Sequence, residues 1–279
     1  MGWITPAALA HGTHSGLISL IDKRLKESPD DGKLWYQRAL LEFEHEDWTQ
    51  TWDDLEKTEH YAPGQFPTAW IKGQLLDIGG KTKEAKSMLD GFLAKSPEHW
   101  GALASRARVE MKSGMTAEAL DDFRAALANN RDAQPDLVQE VAQALAAHGQ
   151  TDEAIEILDA GLQRLGNIPS LQLRILGIEM DAGRSDAALA RLEIMQQKAP
   201  RPEPWMERRA SMLAESGRLP ESRDAWRLLI RHLEALPTAE RGSHSMALAA
   251  ERARCAIKVL DSNAAPKAFQ PTTEFPTKP

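Results

Sequence analysis

The sequence predicts an all-α protein built as a solenoid of helix–turn–helix repeats. Glycines recur at Gly80, Gly114, Gly149, Gly183 and Gly217, separated by 34, 35, 34 and 34 residues. Two other residue classes keep that register. A small residue stands five positions after each glycine (Ala85, Ala119, Ala154, Ala188, Ser222), and a large apolar one nine positions after it (Leu89, Phe123, Leu158, Leu192, Trp226). A fixed period of this length marks a stacked supersecondary unit. The composition agrees: strong helix formers dominate and β-branched runs are scarce.

Each mark has a mechanical reason. The glycine ends the first helix of a unit and permits a tight turn, because only glycine takes the left-handed conformation freely. The small residue lets the second helix approach the first closely, and the large apolar residue fills the space beside it. Prolines at Pro29, Pro63, Pro97 and Pro200 stop the second helix before the next unit. Six units follow, at about 32–65, 66–99, 100–134, 135–168, 169–202 and 203–236. The first departs most, with Glu46 at the turn position and Thr51 at the small one. The fourth carries Gly166 and Pro169 in place of its closing proline, and the sixth has Ser222 and a longer run to Pro237. In Gly149-Gln150-Thr151-Asp152-Glu153-Ala154 the reading is a turn, an N-cap at Thr151 and an acidic first helical turn.

Over residues 32–236 this pattern resembles the tetratricopeptide-repeat (TPR) family. The resemblance implies a right-handed superhelix of about six repeats with a capping helix at each end. It also implies a non-enzymatic scaffold, without cofactors, that holds a peptide or protein in a concave groove lined by the first helix of each repeat. The flanks suit such a fold, because an end repeat exposes an apolar face that needs a cap. Residues 16–31 read as the N-terminal capping segment, its helix over 16–28 stopped by Pro29. Residues 237–261 read as the C-terminal cap, with Met246, Leu248, Ala249, Ala253, Ile257 and Leu260 forming its apolar stripe. Residues 262–279 read as a disordered, proline-rich tail, and 1–15 as a signal-peptide-like remnant and flexible arm.

By repeat phase the groove positions are Tyr36, Leu40 and Phe43 in the first unit, and Trp70 and Gln74 in the second. Arg108, Met111 and Lys112 follow in the third. Aromatic side chains beside an arginine make a plausible anchor for a bound peptide. The competing reading is that Phe43 and Trp70 pack between neighbouring helices. The carboxylate clamp with which the family holds chaperone tails needs asparagine on first helices. Asn129, Asn130, Asn167 and Asn263 all lie elsewhere.

Other functions find little support. A net charge of −7 argues against a nucleic-acid footprint, and no run approaches the roughly 20 apolar residues of a membrane span. The lone Cys255 excludes an internal disulfide and reads as a packed hydrophobe. Gly79-Gly80-Lys81-Thr82 mimics the end of a phosphate loop but sits at a repeat turn. Asp121, Asp122, Asp152 and Glu153 read as solvated charge. At the N-terminus, Ala8-Leu9-Ala10 before His11 predicts export to a periplasmic or secreted location, with a cytoplasmic location as the alternative. Cleavage after Ala10 would expose His11-Gly12-Thr13-His14, where His11 and His14 form either a copper or zinc site or a polar arm. Self-association through exposed solenoid ends stays open.

Overall fold

The computed structural model describes residues 14–132 and 134–262, and among them every regular element is a helix. They fall into two compact units divided between Leu137 and Val138. The first unit contains α1 (His14–Glu27), α2 (Gly32–Glu44), α3 (Trp48–Tyr61), α4 (Thr68–Ile78), α5 (Thr82–Leu93), α6 (Trp100–Lys112) and α7 (Thr116–Asn129). The division falls within α8 (Pro135–Ala147). The second unit continues with α9 (Thr151–Leu165), α10 (Pro169–Asp181), α11 (Ser185–Lys198), α12 (Glu203–Glu215) and α13 (Leu219–Ala235). It ends with the one-turn α14 (Thr238–Arg241) and α15 (His244–Asp261). From α2 to α13 the helices are 11–17 residues long and follow one another in chain order. No helix among the described residues is long and apolar enough to cross a membrane.

The five turn glycines all adopt positive φ, between 73° and 81°. The chain reverses through one repeated hydrogen bond, from the amide after the glycine to a carbonyl five residues back. Lys81 donates to Leu76 at 2.8 Å, Met115 to Glu110 at 2.9 Å and Arg184 to Glu179 at 2.8 Å. Orphan carbonyls at the helix end are thereby satisfied. The first repeat makes the same bond, Asp47 to Glu42 at 3.0 Å, without a glycine, so Glu46 is held at φ 61°. It is the one non-glycine residue at positive φ among the described residues. Because the turn leads straight into the next helix, side-chain caps there are scarce. Thr151 is the first residue of α9 rather than its cap, and Gln150 at the cap position makes no side-chain capping bond to the helix.

The packing register holds throughout. Ala85, Ala119, Ala154, Ala188 and Ser222 are sealed at 0% exposure, as is Thr51 in the first repeat. Leu55, Leu89, Phe123, Leu158, Leu192 and Trp226 fill the space beside them at 2% or less. At such density one added methylene forces a shift costing about 1–3 kcal/mol, which explains the restriction to small residues. At the N-terminal end α1 is tied to α2 by Arg38, which donates to Asp22. At the other end Met246, Ala249, Ala253 and Ala256 of α15 bury against Trp226, Leu229 and Leu233 of α13. Two details of that cap differ from the sequence reading. Leu248 is partly exposed, and Cys255 is exposed because Ala253 and Ala256 define the buried stripe and 255 turns away from it. The predicted leader, the cleavage point after Ala10, His11 and residues 263–279 lie outside the described residues; His14 opens α1, and its side chain is likewise outside them.

Candidate partner-binding face

The first helices α2, α4 and α6 of the N-terminal unit carry the residues read as a groove. Tyr36 is 6% exposed and stacks on Phe66, ring centroids 4.6 Å apart. Burial pushes its hydroxyl up to about 12. Leu40 and Phe43 are half-buried against the core that α2, α3 and α4 share, and Phe43 meets Trp48 edge to face at 5.4 Å. Trp70 also turns inward. Its indole Nε1 donates to Ser105 Oγ at 2.9 Å, and its ring lies against His99. That ring covers Gly101 so closely that a Cβ there would stand 2.6 Å from Cζ2. Tyr36 and Trp70 therefore hold consecutive repeats together. Gln74 and Met111 are half-buried, and Arg108 and Lys112 are exposed. Lys112 Nζ reaches back to Asp77 Oδ2 at 2.7 Å, so α4 and α6 are joined twice, by Trp70–Ser105 and by Asp77–Lys112.

Beneath this face runs a charge ladder that the sequence reading missed. Arg38 on α2 forks onto Asp54 of α3, at 2.6 and 2.8 Å, and reaches Asp22 of α1 with its remaining nitrogen. Arg106 on α6 repeats the arrangement on Asp122 of α7, at 2.6 and 2.8 Å, and on Asp90 of α5 at 2.9 Å. The two triads are the same residues displaced by 68 positions, twice the repeat period. Between them Lys72 binds Glu59 at 2.8 Å and approaches Glu56 at 3.8 Å. In each triad one cation ties the second helix of the preceding repeat to the second helix of its own. The bidentate bond to Asp54 or Asp122 raises each arginine above its ordinary pKa, against the opposing effect of burial. Burial raises Asp90, but the bonds from Lys86 and Arg106 outweigh it and hold the carboxyl below its usual range. Asp122, read as solvated, is thus a buried ion-pair partner. The available signal was the spacing Asp-x15-Arg-x15-Asp, present twice.

Nearby Glu110 is buried, with Lys86 at 3.3 Å on one oxygen and no partner for the other. Burial and the neighbouring Asp122 raise its pKa. Among the described residues no group of three or more His, Cys, Asp or Glu is placed to hold a metal ion. The histidine at the start of α6 is a cap: Nδ1 of His99 accepts from the Ala102 amide at 3.0 Å. In the second unit, Leu173 and Met180 pack on the α10–α12 core, Ser211 is buried and Glu207 is bridged by Arg252 of α15 at 2.9 Å.

Comparison with known proteins agrees with this architecture. Residues 72–138 match a family model described as tetratricopeptide repeat. A tetratricopeptide repeat protein from Parabacteroides merdae superimposes with a TM-score of 0.51 at 18% identity, over 85% of this chain and 94% of its own. PilW, a type IV pilus biogenesis factor, superimposes at 0.56 with 18% identity, over 66% of this chain and 86% of its own. A structure of Naa15/Naa10 bound to HypK-THB superimposes at 0.55 with 15% identity, over 83% of this chain and 37% of that one. Identities this low speak for the fold alone. No curated protein matches the sequence. With the family match over residues 72–138, and one turn geometry and one packing register running from Glu46 to Trp226, the chain has the fold of a tetratricopeptide-repeat solenoid.

Proposed function

We propose that this protein is a non-catalytic scaffold whose N-terminal unit binds a peptide or protein segment across α2, α4 and α6. The observation that carries the proposal is the double fastening of α4 to α6. Trp70–Ser105 and Asp77–Lys112 fix the two helices before any partner arrives, while Gln74, Arg108 and Met111 stay at the surface. A face that is already ordered loses little entropy on association, so a modest set of contacts yields useful affinity. Within the face Gln74, Arg108 and Met111 are the contact residues, with Leu40 and Phe43 as apolar flanks. Tyr36 and Trp70 support the face from within.

The test follows from that division. Full-length chain and a Gln74→Ala/Arg108→Glu variant are used to capture proteins from the native host, with matched circular dichroism spectra as the folding control. A protein retained by the first and lost by the second supports the reading; equal capture by both refutes it. Substituting Tyr36 or Trp70 would report folding instead. Export is proposed on Ala8-Leu9-Ala10 alone, and N-terminal sequencing of the protein recovered from fractionated host cells tests it.

A further inference from the structure

Three glutamates stand at one place in the repeat. Glu42, Glu110 and Glu179 each precede the turn position by four residues, in the first, third and fifth units. The second, fourth and sixth have Leu76, Leu145 and Leu213 there. In all six units the backbone carbonyl of this residue accepts the amide that closes the turn. Leucine satisfies the packing at this place, with Leu145 at 0% and Leu213 at 3% exposure, so volume alone does not call for glutamate. Glu110 and Glu179 are nonetheless as deeply buried, at 3% and 5%. Each leaves its Oε2 without a hydrogen-bond partner among the described residues.

Around Glu110 the charges do not balance. Helix α5 supplies Lys86 and Asp90, α6 itself Arg106, and α7 Asp122. Helix α4, which also meets α6, sends its Asp77 to Lys112 instead. All three guanidinium nitrogens of Arg106 are engaged, two by Asp122 at 2.6 and 2.8 Å and one by Asp90 at 2.9 Å. Lys86 holds Asp90 at 2.9 Å and stands 3.3 Å from Glu110 Oε1. Arg106 Nε is 3.9 Å from the same oxygen. Three carboxylates thus share two cations, and the surplus charge falls on the one that is buried and has a bare oxygen. A carboxylate so placed is costly, and a proton removes much of that cost. Glu179 repeats the pattern: Arg191 forks onto Asp159 at 2.8 and 3.1 Å and reaches Glu179 only at 3.4 Å.

We propose that Glu110 is a proton-operated brace of the third repeat: it takes up a proton as its surroundings acidify, and α6 is then held more firmly between α5 and α7. Protonation leaves Asp90 and Asp122 facing Lys86 and Arg106, two charges of each sign. Burial and the neighbouring Asp122 shift Glu110 toward its protonated form, Lys86 and Arg106 shift it back, and the net direction is upward. A folded chain that keeps a proton which the unfolded chain releases gains stability as pH falls through the raised pKa. That gain is complete below the ordinary 4.5. Asp90, raised by burial but held below its ordinary 3.8 by Lys86 and Arg106, has the opposite dependence and acts only at lower pH. The brace lies within the stack of helices and does not rest on the partner-binding reading.

Glu110→Gln keeps the shape of the side chain and fixes it in a neutral form, which separates a proton-binding group from a simple partner of Lys86. The readout is the protection factor of the Met115 amide, which donates to the Glu110 carbonyl at 2.9 Å. It is measured by hydrogen exchange on full-length chain, between about pH 8 and about pH 4.5. Wild-type protection should rise toward acid by up to about tenfold per pH unit, the limit for one proton. Glu110→Gln should be better protected than wild type at the alkaline end, and the two should converge in acid. Lys86→Met, at a half-buried position, removes a cation that opposes protonation, so the rise should move to higher pH. Any of three outcomes overturns the proposal: Glu110→Gln lowers Met115 protection at the alkaline end, the two proteins differ by the same factor at every pH, or Lys86→Met leaves the rise where it was.

Discussion

Replacing Glu46 by glycine tests the physical basis of the repeat turn at the one place where the sequence breaks its own rule. Glu46 sits at φ 61° with its side chain exposed, in the position that later repeats give to glycine. A residue with a Cβ pays roughly 1–2 kcal/mol to adopt the left-handed conformation. Glycine removes that cost but adds freedom to the unfolded chain, worth roughly 0.4–1 kcal/mol in the opposite direction. The difference favours Glu46→Gly by about 0.5–1 kcal/mol. Gly114→Ala, at φ 76° with open space around the position a Cβ would take, should cost about 1 kcal/mol by the same reasoning. Stacked repeats do not always unfold as one, so two readouts are needed. Urea unfolding followed by circular dichroism should move in opposite directions for the two variants. Hydrogen exchange of the Asp47 amide, bonded to Glu42 across the turn, should slow in the first. If Glu46→Gly is neutral or destabilising by both measures, backbone strain is not what the later glycines relieve, and the conformational account of the repeat mark is wrong.

Three other outcomes are expected. Arg106→Met strands Asp122, which is 8% exposed, and should cost about 3 kcal/mol, most of it recovered by adding Asp122→Leu; thermal melts of the double-mutant cycle measure this, and additive losses would refute the pairing. In a Tyr61→Phe variant the remaining tyrosine, Tyr36, should ionise near pH 12 by ultraviolet absorbance. An acid whose folded pKa is raised holds its proton while the unfolded chain loses it, so Tyr36 should lower stability progressively between its ordinary 10.0 and about 12. Cys255 should react with a thiol reagent in the native protein about as fast as in urea, because its side chain faces away from α13; protection in the native state would return it to the core.

How far the fold could be read depended on the range of each interaction. The repeats, their boundaries and the small and large packing positions were legible because each rests on a single residue whose size or backbone freedom is needed wherever it recurs. Gly114, Ala119 and Phe123 do the same work as Gly80, Ala85 and Leu89, so periodicity exposes them. The candidate face was legible only as a set of positions. Tyr36 and Trp70 occupy equivalent places on first helices, as do Leu40, Gln74 and Arg108 one turn further on, and nothing in their spacing says which is supporting structure. Tertiary contacts decided that. Trp70 turned inward because Gly101 left room for its ring and Ser105 offered an acceptor.

The sequence by itself determined the helices, the turns, the order of the units and the family resemblance, since these follow from local conformational preference and a recurring volume requirement. Only the tertiary structure decided that Asp54 and Asp122 are buried counter-ions and that Cys255 and Leu228 face solvent. Those outcomes depend on which side chain arrives from another helix 16 or more residues away, as Arg38 does at Asp54 and Arg106 at Asp122. Burial turns such a meeting into a strong constraint, whereas in the unfolded chain the same residues are solvated charges with no preferred partner.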